Sequence, residues 1–214
     1  MTGIWIALSL STIAVGAYVR LVGSRRRKAA RRAVWGVREK AIAEVKDGQI
    51  VRITGRAVAR GPLRTSPISG RACIGFSLVV QRHDPGNPAE QRVIDKEEFD
   101  SFLIADATGQ AMLHGPFDVK LDPYDKRAED LPPAFFEVLE REGVPVRSLL
   151  GIQHEFRYIE TILFPGDEIV AIGRATIEID PAGQSPSRRD PPVLCHLKGR
   201  EEAVIIAEIE VPPA

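Results

Sequence analysis

Apolar residues fall into three regimes along the chain, each predicting a different kind of element. Gly3 to Val19 carry no charge, and Leu21 and Val22 extend the apolar run to about 20 positions if Arg20 snorkels, a length that spans a hydrocarbon core. From Ala29 to Val45 apolar residues recur at helical spacing, at Ala30, Val34, Val37, Ala41 and Val45. A short helix is predicted there, ending before the turn at Lys46, Asp47 and Gly48. Beyond Gly48 the period drops to two. Val51, Ile53, Gly55, Ala57 and Ala59 alternate with Arg52, Thr54 and Arg56, and Ile169, Ala171, Gly173, Ala175, Ile177 and Ile179 alternate with Glu168, Arg174, Thr176 and Glu178. Both runs read as half-buried strands.

Further strands are predicted at Ala72 to Gln81, Phe99 to Ala105, Ala111 to Leu113, Phe156 to Leu163 and Ala203 to Val211. Pro132 and Pro133 start one modest helix and Gly143 stops it, with Phe135, Phe136, Val138 and Leu139 on its apolar side. His83 to Gln91 reads as an exposed loop, and Pro181 to Pro192 as a disordered stretch. Many short strands, one accessory helix and no βαβ alternation predict a mainly β, antiparallel architecture, an OB-like barrel or a small sandwich. The predicted domains are 1–23, a transmembrane helix; 24–47, a basic juxtamembrane helix or linker; and 48–214, a β-rich soluble domain.

Charge sharpens this picture. The 214 residues balance 29 basic against 29 acidic side chains, yet residues 20–40 hold nine of the basic ones and only Glu39 among the acidic. From residue 41 onward 20 basic face 28 acidic residues. An acidic domain disfavours nucleic acid, whose affinity is dominated by phosphate neutralisation, so no nucleic-acid partner is expected. The cluster Arg25, Arg26, Arg27, Lys28, Arg31 and Arg32 directly follows the apolar run. Such clusters stay in the cytoplasm, which predicts a single-pass protein with its N-terminus outside and its soluble domain cytoplasmic. The same residues attract anionic lipid headgroups, at about 1 kcal/mol per basic side chain near the surface. Membrane lipids are therefore expected partners, through the helix and the basic cluster. A secretory signal would put its charge before the apolar run rather than after it.

Candidate chemistry is sparse. Cys73 and Cys195 are the only cysteines, without a second ligand at zinc spacing, so neither metal nor cofactor is expected. His154 and Glu155 begin like a zinc-protease helix, but Tyr158 stands where the second histidine must lie. Asp106, Ala107, Thr108 and Gly109 approximate an aspartic-protease loop with one alanine too many, and no Gly-x-Ser-x-Gly elbow surrounds Ser66 or Ser69. No catalytic residue is assigned and no enzyme is expected.

A set of landmarks then carries a resemblance. These are the apolar N-terminal run; a strand ending in a glycine-containing turn; Leu63, Ser66, Pro67, Ile68, Ser69, Gly70, Arg71, Ala72 and Cys73; Phe102 to Gly109; and Glu155, Tyr158, Glu160, Pro165, Gly166, Asp167 and Gly173. Over roughly residues 48 to 211 the chain resembles the GIDE domain family, also called BAM for "beside a membrane". Eukaryotic members are mitochondrial outer-membrane ubiquitin ligases with a second span and a C-terminal RING finger, whereas prokaryotic relatives commonly lack the RING. The chain stops at Ala214 without a cysteine-rich tail, so ligase activity is not expected. What the resemblance implies is a membrane-associated interaction module with an unknown protein partner. The candidate binding residues are Ser66, Pro67, Gly70, Arg71, Asp106, Gly109, Glu155 and Asp167, centred where Ser66 to Arg71 would meet Asp106 to Gly109. Two alternatives stand beside it: a membrane-tethered hydrolase using Cys73 or Asp106, and an accessory subunit whose transmembrane helix packs within a larger complex.

Overall fold

Alternating burial along the strands organises the described part of the protein. The computed structural model describes residues 36–84, 90–148, 151–179, 193–199 and 204–208. The predicted span at 1–23, the basic cluster from Arg25 to Arg32 and the stretch 181–192 lie outside them. Among the described residues no helix is long and apolar enough to cross a membrane.

The strands are β1 (Ile50–Val58), β2 (Arg64–Thr65), β3 (Ala72–Cys73), β4 (Gly75–His83), β5 (Gln91–Phe99), β6 (Phe102–Ala105), β7 (Gln110–Leu113), β8 (Phe117–Lys120), β9 (Asp125–Arg127), β10 (Glu155–Leu163), β11 (Glu168–Ile179), β12 (Val193–Lys198) and β13 (Val204–Glu208). The single α-helix among the described residues is α1 (Pro133–Arg141). Strands β1, β6, β7, β12 and β11 pair in that order, and β11 returns to β1, closing a five-stranded barrel. Of the two predicted architectures the barrel is the one observed. It is not wholly antiparallel: β7 runs parallel to β12, and outside the ring β13 runs parallel to β8.

Val51, Ile53 and Ala57 of β1 fill the barrel together with Phe102, Ile104, Ala111, Leu113, Ile169, Ala171, Ala175, Cys195 and Leu197. Strand crossings demand glycine at two places. A Cβ at Gly55 would strike the carbonyl oxygen of Ala105, and one at Gly173 would lie 2.8 Å from that of Lys198. Gly is the residue that permits such close approach of two backbones.

Two insertions into the barrel build a second layer. One lies between β1 and β6 and the other between β7 and β11; together they make the sheet β5-β4-β10-β9. Helix α1 starts with Pro133 at its first turn, and the chain leaves its end through Gly143 at φ +68°. It lays Phe135, Val138 and Leu139 on the sheet, while Phe136 stays 40% exposed. The second core comprises these with Ile68, Cys73, Phe76, Leu78, Val80, Ile94, Phe156, Tyr158 and Ile162.

Gly36 is helical, but residues 37–45 depart from the predicted helix. Within the described part of that prediction, the chain makes one 3-10 turn, Ile42–Glu44, flanked by extended residues, and Glu39 bridges to Arg52 of β1. Ile42 and Val45 sink into the barrel core instead. Burying two apolar side chains outweighs the weak intrinsic preference of a short isolated helix.

Candidate functional site

The predicted binding residues fall in separate places. Ser66 to Arg71 forms the turn between β2 and β3, with Gly70 at φ +67°. The turn closes on itself: Ser66 N–H donates to the Arg71 carbonyl (2.9 Å), Gly70 N–H to the Ser66 carbonyl (3.2 Å), and Arg71 N–H to Ser66 Oγ (3.3 Å). Beneath it lies Glu160 of β10, fully buried. Its Oε1 accepts from Ile68 N–H (3.0 Å) and its Oε2 from Ser69 N–H (3.1 Å). Buried polar groups are retained where they satisfy other buried polar groups, and here a side-chain carboxyl replaces the partners that a loop backbone lacks. Ser66 is buried, and Pro67 is half-buried as the turn's second residue.

Arg71 points outward from this braced turn. Its guanidinium carbon sits 5.9 Å from the Tyr124 ring centroid and 5.7 Å from that of Phe164, while the two rings meet edge to face at 5.5 Å. Arg71 is exposed, and no ion pair to it occurs among the described residues. Tyr124 is itself 45% exposed.

Asp106 is bonded within the β6–β7 turn and to the 3-10 segment. Its Oδ1 accepts from Thr108 N–H (2.6 Å), Thr108 Oγ1–H (2.6 Å) and Gly109 N–H (2.9 Å), and its Oδ2 from Ile42 N–H (2.8 Å). Burial pushes its pKa up, but the Thr108 hydroxyl and the three N–H donors outweigh burial and hold it below the usual carboxylate range. The Asp106–Gly109 turn is thus a knot that ties the 3-10 segment to the β6–β7 hairpin. Thr108 Oγ1 adds a bond from Ala43 N–H at 3.1 Å. The hydrogen bonds of Ser66–Arg71 and of Asp106–Gly109 run to different partners, Glu160 for the first turn and the 3-10 segment for the second.

Asp167 caps a third turn. Its Oδ2 accepts from Phe164 N–H (2.8 Å), its carbonyl from Ala57 N–H (2.9 Å), and Gly166 N–H donates to the Ala57 carbonyl (2.7 Å). Glu155 is exposed and lines a cavity of about 780 Å³ walled by the paired ends of β4 and β10 with Glu90, Ala128, Glu129 and Leu131. In that cavity wall His154 Nδ1 lies 2.8 Å from Asp84 Oδ1, and Arg82 Nε lies 3.0 Å from the same oxygen. His154 sits just before a strand and not on a helix, so the zinc-protease spacing has no helical face to act on.

Cys73 is fully buried, with Sγ 3.6 Å from the Arg64 carbonyl. Burial raises its pKa, the neighbouring Glu160 adds to that, and Arg64 opposes it; Cys195 is pushed up to about 11 by burial. Neither is poised as a thiolate.

One group has no sequence signature. His114, just past β7, and His196 of β12 meet across the parallel seam of the barrel, with His114 Nε2 2.7 Å from His196 Nδ1. The ring centroids are 5.0 Å apart and the planes differ by 16°. With the facing nitrogens only 2.7 Å apart, that spacing is taken up by the two ring radii, so the rings meet edge to edge and nearly coplanar. Ser101 Oγ lies 3.3 Å from His114 Nδ1, and Glu178 Oε2 lies 3.8 Å from His196 Nε2. Burial depresses the His114 pKa first, then His196, Lys198 and Arg60, while Glu178 pulls the other way. Among the described residues no group of three or more His, Cys, Asp or Glu is placed to hold a metal. Eighty-two residues separate the two histidines, and only the strand order brings them together.

No family model, curated protein or solved structure matches the chain. Fold and surface together define a class: a closed five-stranded barrel with a helix-covered side sheet and braced turns at its surface.

Proposed function

We propose that this protein is a membrane-anchored interaction module of GIDE type, held by residues 1–23 at the cytoplasmic face, with an OB-like barrel as its platform. The strand order β1-β6-β7-β12-β11, with one parallel joint, supports the OB-like description. The observation that carries the interaction reading is Arg71. A guanidinium laid on two aromatic faces keeps its N–H edges free for an anionic group, and the turn that presents it is fixed by Glu160 rather than by solvent. Pre-ordered backbone lowers the cost of binding. The residues weighed for hydrolysis favour this reading too, since Ser66, Cys73 and Asp106 are all engaged in holding the fold. Several residues that carry the resemblance, Ser66 to Cys73, Glu160 and Pro165 to Asp167, lie in or under the turns described above.

The test uses the full chain in cells. It is expected to pellet with membranes after alkaline extraction and to lose that property when residues 3–22 are deleted. A photo-crosslinking residue placed at Tyr124 is expected to trap a protein partner, and Arg71→Glu to abolish that adduct. Full-length protein in the supernatant, or an adduct insensitive to Arg71→Glu, defeats the proposal.

A further inference from the structure

At its parallel joint the barrel is held by few backbone bonds, and parallel pairing is slightly the weaker kind per residue. Strand β12 meets β11 over six residue pairs but β7 over three, Ala111, Met112 and Leu113 against Cys195, His196 and Leu197. His114 N–H extends that joint by one bond, to the Leu197 carbonyl at 3.0 Å. Beside it the two imidazoles meet head-on, with His114 Nε2 2.7 Å from His196 Nδ1, so a side-chain bond supplements the short ladder. We propose that this His114–His196 bond is a pH latch: it holds β7 to β12 while the pair carries at most one extra proton, and a second proton parts it, opening the seam while β12 stays on β11.

The proton positions follow from the neighbours. Glu178 Oε2, 3.8 Å from His196 Nε2, is too far for a hydrogen bond but near enough to favour a proton on that nitrogen. That leaves His196 Nδ1 the acceptor and His114 Nε2–H the donor. His114 Nδ1 then accepts from the Ser101 hydroxyl at 3.3 Å. A first added proton enters at His114 Nδ1, the Ser101 hydroxyl turns to accept from it, and the bond between the rings survives. A second proton has only His196 Nδ1 left to take it, which is the acceptor itself. Two N–H groups then face each other across 2.7 Å, and the rings must separate.

The surrounding charges resist that protonation. Arg60, just past β1, and Lys198, at the end of β12, both oppose further positive charge; Glu178 of β11 favours it but also lies 3.7 Å from Lys198. Burial first, then His196, Lys198 and Arg60, hold His114 below its usual value of 6.5. The closed seam therefore binds fewer protons than the open one, in which both rings are solvated. Its stability is complete well above about pH 6.5 and is lost as pH falls below that value. Each proton taken up on opening raises the opening equilibrium about tenfold per pH unit. Opening admits water to Cys195 and Leu197, which belong to the barrel core.

The experiment is hydrogen exchange, read by mass spectrometry, on the full chain in detergent from about pH 7.5 to about pH 5, corrected for the intrinsic pH dependence of exchange. The opening equilibrium for amides of β7 and β12 is expected to rise at least about tenfold over that range, while that for β4 and β10 in the side sheet stays within about twofold. His196→Asn keeps an acceptor in place of Nδ1 and does not titrate, so it is expected to flatten the β7–β12 response. His114→Gln, whose amide can donate to His196 or accept from it, is expected to do the same. Should both variants fold poorly, the wild-type chain still decides through its two thiols, labelled with 4,4′-dithiodipyridine, which reacts at acid pH. Cys195 in the barrel core is expected to become labelled as pH falls, and Cys73 in the second core to stay protected. A seam whose opening ignores pH, an equal rise in both layers, a response retained in both variants, or Cys195 labelled no faster than Cys73 at low pH overturns the proposal.

Discussion

The barrel and the side sheet solve the burial problem with different residues. The barrel interior is mainly aliphatic and small, with alanines at 57, 111, 171 and 175 among the branched side chains and Phe102 against Phe117 as its buried aromatic pair. Five strands curled tightly around one axis leave little room inside, so small side chains alternate with larger ones. The side sheet is flatter and has a helix to cover, and its core is aromatic: Phe135 stacks on Tyr158 at 5.5 Å and meets Phe156 at 5.9 Å. It also admits polar groups, with Glu160 and Ser66 buried within or beside it. The two cores are joined by alternation along one stretch of strand. Ile74 and Leu163 face the barrel while their neighbours Cys73 and Ile162 face the side sheet, and Ile74 N–H donates to the Leu163 carbonyl at 2.8 Å. Shared strands couple the layers, so a single unfolding transition is expected for both.

Truncating the aromatic centre should do the most damage. Phe135→Ala empties the meeting point of helix and sheet and is expected to cost about 3–5 kcal/mol. Chemical denaturation of residues 39–214 measures it. Two separate transitions by near-ultraviolet and far-ultraviolet dichroism would show that the layers are not coupled as argued.

Next in size comes the polar device. Glu160→Ala leaves the N–H groups of Ile68 and Ser69 without their acceptor in a buried place, at a cost of about 2–4 kcal/mol. Hydrogen exchange at Ile68 and Ser69 should accelerate more than global destabilisation explains. The barrel's counterpart is Gly55→Ala, which drives a methyl into the Ala105 carbonyl and should cost at least about 2 kcal/mol by forcing β1 and β6 apart. If Gly55→Ala is neutral, the closure at that crossing is looser than the pairing implies.

Strands with clean alternation are legible in the amino-acid sequence: β1, β10 and β11 each bury one face against a core, which is the pattern the period reports. The helix is legible from Pro132, Pro133 and Gly143. Strand β5 is not, because Gln91, Arg92, Asp95, Lys96, Glu97 and Glu98 make it an edge with few apolar positions. Strand β12 is hidden in a similar way by its short length beside a proline-rich stretch. The turns stand out as special, yet their role differs from the predicted one. Asp106, Asp167 and Ser66 are spent on nearby backbone N–H groups, a local role that a turn motif and a surface site share in sequence. Glu160 stands out only through the resemblance, and nothing in its alternating strand announces a fully buried carboxyl. The His114–His196 contact depends on strand order, which periodicity does not encode.

A smaller effect separates local knots from cores. Asp106→Ala should cost about 1–2 kcal/mol, less than either core change, since the knot lies at the edge of the barrel. Its pH dependence has a definite sign. The folded pKa lies below the unfolded value near 3.8, so the native state binds fewer protons and the stabilisation is complete above that pH. It is lost as pH falls through the folded pKa, and Asp106→Asn should flatten the acid side of the stability curve.

Arg71→Ala is expected to change stability least of all, by about 0.5–1 kcal/mol, because an exposed cation on aromatic faces contributes little to folding. That smallness is what makes it informative. A residue whose turn is braced by a buried carboxyl, yet whose own side chain scarcely matters to stability, is arranged for something other than the fold. Thermal melts of wild type, Arg71→Ala and Glu160→Ala separate the two contributions. If Arg71→Ala destabilises as strongly as Glu160→Ala, the guanidinium is a structural brace, and the interaction surface must be sought on another face of the domain.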